Sequence, residues 1–358
     1  MPDVTLIEIA RRVGVSKTAV SMALRGKPGL SEETKARILA TARELGYSPN
    51  PISVELMALV RAKRRTTGAH TIAFINTFID PGLFRRIEGL GEFVAGAMQR
   101  AKLYGYAVEV FEARAKGMTG RRLADILQAR GIRGVLIGPR WGMEPELEFP
   151  WERFACVLVG EPEYGPNLNR VCNHHIHACA TALRHLAAKG YRNIGVALAE
   201  VHEKKYAYDY LLGVDQFLRQ SGSEVKVVPW LYDPWSDAEG EAWVEKHGFD
   251  ALVSLSSEPL ALFHRLRTWT GDRLGYASLA VNPGAVFSGI SQHPEEIGAA
   301  SVDLLRGLLV GGERGTVPRP RILLIEGDWV EGETTPGPKP KSAAARAPQV
   351  RRAPDAEP

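Results

Sequence analysis

Residues 5–50 read TLIEIARRVGVSKTAVSMALRGKPGLSEETKARILATARELGYSPN, three short helices written with their own start and stop signals. Thr5 stands at a helix N-cap with Glu8 three residues on, the spacing of a reciprocal capping box. Ile9, Ala10 and Val13 give that helix an apolar stripe, and Gly14 supplies the positive φ its turn needs. Ser16 caps a second helix to about Leu24, with Ala19, Val20, Ala23 and Leu24 at inward spacing. Ala10 and Val20 fall where two crossing helices come closest. Ser31 caps a third helix to about Leu45, and Gly46 follows where helix ends favour glycine. The pattern is a helix-turn-helix.

In such a unit the second helix enters the major groove with its first residues at base edges. Here these are Lys17, Thr18 and Ser21, followed by Met22. Lys17 can donate to guanine O6 and N7, whereas Met22 offers only apolar contact, for instance to a thymine methyl. Thr5, Ser16, Ser21, Ser31 and Thr34 supply hydroxyls for phosphates, which fix register without reading sequence. Arg25 follows the second helix and joins the DNA-facing set. Residues 1–65 carry twelve Lys and Arg against six Asp and Glu, whereas residues 66–335 carry 28 against 33. The positive field therefore sits on the segment that would meet phosphate. A small helical domain docking on another protein would share the helices but has no need of that field.

Pro49-Asn50-Pro51 closes the headpiece, and residues 52–60 can form one short helix with Ile52, Leu56, Leu59 and Val60 on one face. A helix this short is marginal alone in water. It needs a cover: a partner's copy, a minor groove into which Leu56 wedges, or the body of the protein, as for an ordinary connector. Lys63, Arg64 and Arg65 read as a basic linker.

Behind the linker, apolar runs and helical patterns alternate. Strands are expected at residues 71–75, 107–111, 134–137, 155–159, 194–198, 224–228, 251–255 and 277–281. Helices are expected at 85–104, 121–130, 177–189, 209–220, 238–247 and 260–270. This alternation implies parallel sheets covered on both faces, in two lobes. Ligands bind such sheets beyond the carboxyl ends of the strands. The cleft candidates are therefore Asn76, Thr77, Phe78, Arg140, Trp141, Gly160, Glu161, Ser256, Ser257 and Asn282, with Tyr206, Asp209 and Tyr210 at the start of a second-lobe helix. Hydroxyls, amides, a guanidinium and aromatic faces suit a polar, ring-shaped molecule such as a sugar or its acid; simple loop solvation remains the other reading of each residue.

No apolar run approaches the roughly 20 residues of a membrane span, and the first residues lack a signal peptide's apolar core. Three cysteines make no disulfide framework, so a cytoplasmic protein is expected. Residues 172–179, CNHHIHAC, are dense in metal-ligand types. A zinc site needs three or four such groups converging, and no metal or other cofactor is expected here. No nucleophile elbow, phosphate loop or HExxH motif occurs, so no enzyme is expected. Residues 336–358, rich in Pro, Ala, Lys and Arg, read as a disordered basic tail.

Taken together, VTLIEIARRVGVSKTAVS, SEETKARILATARELGYSPN, ALRHLAAKGYRNIGV, FDALVSLSSEPLAL and FSGISQHPEEIGAASVDLL resemble the lactose/galactose-repressor family of bacterial transcription regulators. The resemblance implies an α/β protein with a helix-turn-helix headpiece (1–50), a hinge helix and linker (51–69), a two-lobed periplasmic-binding-protein-like core (70–335) and the tail (336–358). It implies a homodimer or higher assembly on a pseudo-palindromic double-stranded operator, controlled by a small-molecule effector. By it, Tyr47 and Asn50 lie near the minor-groove entry and Leu56 is the paired lever. Ala19, Met22 and Arg25 depart from the family's usual Thr, Arg and Asn, so the operator should differ from the commonest half-site. Tyr210 and Ser257 stand where an Arg and an Asp often hold sugars, which argues against a simple hexose. A transport-type solute-binding protein and an architectural minor-groove binder are the rival readings; the first should have no headpiece and the second little sequence preference.

Overall fold

The computed structural model describes residues 5–24, 29–47, 70–78, 80, 90–139, 147–160, 166–256, 258–270, 274–282 and 286–337. Residues 51–69, expected as hinge helix and linker, lie outside them, as does the expected tail from residue 338 onward; Gly337, at its start, donates its N–H to the Tyr191 hydroxyl at 3.0 Å. The chain divides into two compact units, Met1–Gly68 and Ala69–Pro358.

In the first unit, α1 (Leu6–Val13), α2 (Lys17–Leu24) and α3 (Glu32–Glu44) enclose a core of Ile9, Ala10, Val13, Val20, Ala23, Ile38 and Ala42. The three N-caps and the Gly14 turn act as read, but the capping box at Thr5 is one-sided: among the described residues no bond runs from the Thr5 N–H back to the Glu8 carboxylate. Thr5 Oγ1 accepts the Glu8 N–H at 3.3 Å, Ser16 Oγ that of Ala19 at 3.1 Å and Ser31 Oγ that of Thr34 at 3.2 Å. Gly14 takes φ 78° and donates to Ala10 O. Arg37 reaches back to Val13 O at 3.2 Å, which satisfies another carbonyl at the end of α1.

Among the described residues the second unit holds two six-stranded sheets. The first lobe contains β1 (His70–Asn76), β2 (Tyr106–Glu112), β3 (Gly134–Ile137), β4 (Ala155–Val159) and β5 (Asn169–Asn173), with α4 (Leu90–Leu103) and α5 (Gly120–Ala129). The chain then crosses to the second lobe. There lie α6 (His175–Ala188), β6 (Asn193–Ala199), α7 (Glu200–Lys205), α8 (Asp209–Ser221), β7 (Lys226–Tyr232) and α9 (Asp237–His247). They are followed by β8 (Ala251–Ser254), α10 (Glu258–Thr270), β9 (Gly275–Ser278) and β10 (Ser288–Ser291). It returns through α11 (Pro294–Gly311) to β11 (Ile322–Ile325) and crosses a third time to β12 (Asp328–Val330). The sheet orders are β11-β5-β4-β3-β1-β2 and β12-β10-β9-β8-β6-β7. Pairing is parallel except for β12 on β10. Side chains of α4 and α11 fill one face of the first sheet and those of α5 the other. In the second lobe α6 and α8 take one face, α9 and α10 the other.

Four strands escape the apolar-run reading: β5, β10, β11 and β12. In β5, Asn169 and Asn173 are buried because tertiary partners satisfy them: Asn169 Oδ1 accepts the Arg321 N–H at 2.8 Å, and Asn173 Nδ2 donates to Gln292 O at 2.8 Å. Strand β7 starts two residues later than expected and runs through Pro229, tolerated because β7 is an edge strand. Strand β9 ends at Ser278, not Val281, where the Ser278 hydroxyl bonds the Ala280 backbone and bends the chain. Helix α11 was not anticipated from periodicity.

Helices α4 and α11 meet backbone to backbone. A Cβ on Gly96 would lie 1.9 Å from Glu295 O, and one on Gly298 would lie 2.0 Å from Phe93 O. This crossing sets the N-termini of both helices beside the gap between lobes. Gly298→Ala must push two helices apart, a loss of about 1–3 kcal/mol. Gly307, on the same helix with open space where a Cβ would be, should become slightly more stable as Ala. Thermal melting of both variants checks the pair, and equal melting temperatures would contradict the close crossing.

Candidate functional site

On the headpiece, Lys17 and Thr18 are exposed at the start of α2, Ser21 and Met22 are half-buried, and Val20 and Ala23 turn inward. One helix face is thus left for a partner while the other holds the fold. The Met22 methyl lies against Gly29, 3.0 Å from where a Cβ would stand. Ser31 donates its hydroxyl proton to Thr34 Oγ1 at 2.8 Å, so of these two hydroxyls Thr34 keeps its proton for a phosphate. Tyr47 packs on the headpiece core and donates its N–H to Ala42 O. Arg25, Asn50 and Leu56 lie outside the described residues.

In the second unit a cavity of about 590 Å³ opens between the lobes. Its wall is built from strand ends. Phe78, Pro139, Gly160 and Asn173 come from the ends of β1, β3, β4 and β5. Ala199, Ser256 and Asn282 come from the ends of β6, β8 and β9. Helix α4 adds Leu90 and Phe93, α7 adds Val201, His202 and Lys205, and Tyr206 follows α7. A second concavity, about 740 Å³, lies within the first lobe around Arg114, Met118 and Phe149 and gathers nothing from the other lobe.

Of the expected cleft residues, Phe78, Gly160, Tyr206, Ser256 and Asn282 line this cavity; Thr77 and Asp209 do not. Asn76 does not line it either. Its side chain is buried, donating to Glu112 Oε2 at 2.6 Å and accepting the Phe78 N–H at 3.1 Å, so it orients the turn that presents Phe78. Tyr210 is fully buried, its ring against His175 and Tyr206 and its hydroxyl accepting from Gln292 Nε2 at 2.9 Å. It supports the wall without facing the cavity. Arg140, Trp141, Glu161 and Ser257 lie outside the described residues.

The sequence reading missed His202, Lys205, Asn173 and Gln292. His202 and Lys205 follow β6 directly, so the strand-end rule reaches them once applied there. Gln292 donates to both Tyr210 and Leu279 O. With its N–H groups used, it offers a ligand its carbonyl oxygen. Ser256 Oγ and His202 Nδ1 are 3.3 Å apart.

Beneath the wall sit two groups whose charge is suppressed. Burial, with Lys205 and His174 nearby, holds His175 down to about 3, and neither ring nitrogen has a hydrogen-bond partner among the described residues. Burial pushes Glu203 up to about 7, opposed by the Leu211 N–H it accepts at 3.2 Å and aided by Asp209. Both are neutral at mildly acidic pH, which leaves Lys205, its ammonium 5.2 Å from the Tyr206 ring centroid, as a cation on the wall. Aromatic faces, amides, the Lys205 ammonium and the Glu258 carboxylate equip the cavity to bind a polar ring-bearing molecule.

The comparisons agree with both halves of this picture. Residues 5–50 match the lacI family of bacterial regulatory proteins, and residues 91–240 match the periplasmic binding proteins and sugar binding domain of the LacI family. The chain belongs to the lacI family. It is a ligand-responsive, DNA-binding transcriptional regulator. It is 25% identical over 264 residues to the transcriptional repressor CytR of Escherichia coli strain K12, covering 72% of this chain and 70% of CytR. Two solved structures share the fold. The CelR–cellobiose complex has 19% identity and TM-score 0.53 over 92% of this chain and 99% of that one. The lac repressor dimer bound to operator and the anti-inducer ONPF has 19% identity and TM-score 0.52 over 93% and 99%. No helix of the described residues is long and apolar enough to cross a membrane.

Glu203 makes a pH test. Its folded pKa of about 7 lies above the ordinary 4.5, so its contribution is most favourable below pH 4.5 and is lost as pH rises through 7. The loss is at most about 3 kcal/mol. Glu203→Gln should remove this fall, so that the melting-temperature difference between the two proteins grows with pH across that window. A pH-independent difference would contradict a buried, protonated Glu203.

Proposed function

We propose that the chain represses transcription by binding a pseudo-palindromic operator as a homodimer, and that a sugar or sugar derivative in the interlobe cavity controls that binding. The observation that carries this reading is the pairing of an exposed recognition helix with a cavity made from the strand ends of both lobes. CytR is a repressor, CelR has been solved with cellobiose and the lac repressor as a dimer on operator, which supports each part. We read the chain as a regulator rather than an enzyme, acting in the cytoplasm where its operator lies.

In this account Lys17, Thr18, Ser21 and Met22 face bases, Thr5, Ser16, Ser31 and Thr34 sit along phosphates, and Tyr47 lies near the minor-groove entry. Arg25, Asn50 and the lever Leu56 belong to the same interface. Phe78, Tyr206, Ser256 and Asn282 contact the effector, Arg140, Trp141, Glu161 and Ser257 belong to the same binding set, and Asn76 and Tyr210 stand behind the wall. Boundaries near residues 50, 69 and 335 separate headpiece, hinge, core and tail. Most of the affinity comes from phosphate neutralisation and falls with salt.

Selection of bound duplexes from a random pool should return a two-fold symmetric consensus. Against that duplex Lys17→Ala should lose about 1–3 kcal/mol and relax preference at one position of each half-site. An unenriched pool would leave only non-specific attraction and overturn the reading.

A further inference from the structure

The segment Cys172–Cys179 does not act as one cluster. Cys172 and Cys179 are buried thiols that form no disulfide, and His175 is enclosed by Tyr206 and Tyr210. His174 and His177 point elsewhere, toward Glu326, which the fold brings in from the third crossing between lobes. His174 Nδ1 lies 3.6 Å from Glu326 Oε1, His177 Nε2 lies 3.9 Å from Glu326 Oε2, and one ligand atom from each residue falls within 4.8 Å of the others. The two imidazoles stack at 5.6 Å between centroids.

We propose that His174, His177 and Glu326 form a binding site for a divalent transition-metal ion of the Zn²⁺ type, spanning two of the three chain crossings between the lobes. Zinc bonds to nitrogen and carboxylate oxygen are about 2.0–2.2 Å, which places tetrahedral donors about 3.3 Å apart. The observed separations close to that value by rotating three side chains that are 31%, 29% and 64% exposed. Two imidazoles and one carboxylate suit zinc and its neighbours, whereas Ca²⁺ and Mg²⁺ prefer all-oxygen shells. Three protein ligands leave the fourth position to water. His174 precedes α6 but makes no side-chain cap bond, so its ring is not committed to the helix. Its backbone N–H donates to Ile325 O at 2.9 Å, which holds the two crossings in register beside Glu326. The Thr181 hydroxyl, 3.3 Å from His177 Nε2, gives way when the metal binds. The positive end of α6 opposes a cation, and Glu326 is the charge that offsets it. An ion here would cross-link the segments about which the lobes move, next to Asn173 on the cavity wall.

The test is a Co²⁺ titration of the full, tag-free chain after chelation, read by visible ligand-field absorption and followed by Zn²⁺ displacement. Saturation near one ion per chain is expected. His177→Ala and Glu326→Gln should each weaken binding about tenfold or more, while His264→Ala, remote in the second lobe, should not. Melting of the metal-free variants identifies any that fail to fold, and Glu326→Gln, at an exposed position, keeps the test open if His177→Ala does. Absence of a saturable band in the parent chain, or unchanged affinity in folded Glu326→Gln, would overturn the proposal.

Discussion

Three short crossings tie the lobes together, and the working geometry of the core follows from them. At the first, Asn173 donates to Gln292 O at the second; His174 donates its backbone N–H to Ile325 O at the third. Lobes joined this way can rock about the shared segment but cannot part. Because β5 and β10 both end at these crossings, the carboxyl ends of the parallel strands in the two sheets face each other over one cavity. A molecule held there touches both lobes, so it binds one lobe arrangement better than another. That difference in affinity is the entire energetic means by which a ligand shifts an equilibrium.

The cavity wall follows a division of labour. Residues facing the cavity are presented by residues that do not. Asn76 orients Phe78, Tyr210 and Leu279 O hold Gln292, and Glu203 caps the turn into α8 through the Leu211 N–H. Helix α7 supplies His202 and Lys205 only because β6 ends where α7 begins. Burial keeps His175 neutral beneath this wall and holds the proton on Glu203 up to about pH 7, so among the described residues the charged side chains that line the cavity itself are Lys205 and Glu258.

How much of this was readable in advance depended on how local each cause is. Thr5, Ser16, Ser31 and Gly14 act within three or four residues, and each caps or turns its helix as read, with only the return bond of Glu8 to Thr5 missing. Strands built from unbroken apolar runs were equally plain. Strand β5 was not, because Asn169 and Asn173 are strand residues only by virtue of Arg321 and Gln292, 152 and 119 residues away. The same limit governs the site. Phe78, Ser256 and Asn282 follow from the strand-end rule alone. Asn76, at the end of β1, and Tyr210, at the start of α8, turn inward toward Glu112 and Gln292, 36 and 82 residues distant. Helix α7 is too short for periodicity to announce.

The account's central claim is that cavity occupancy and DNA grip are linked. Reciprocal titration tests it most directly, using whichever sugar, sugar acid or nucleoside most raises the melting temperature. Its effect on affinity for the selected duplex is compared with the duplex's effect on its own affinity. Linkage requires the same factor in both directions, about 5- to 150-fold for a coupling of roughly 1–3 kcal/mol. A factor of one in both directions, with the compound bound in the cavity, would contradict the account.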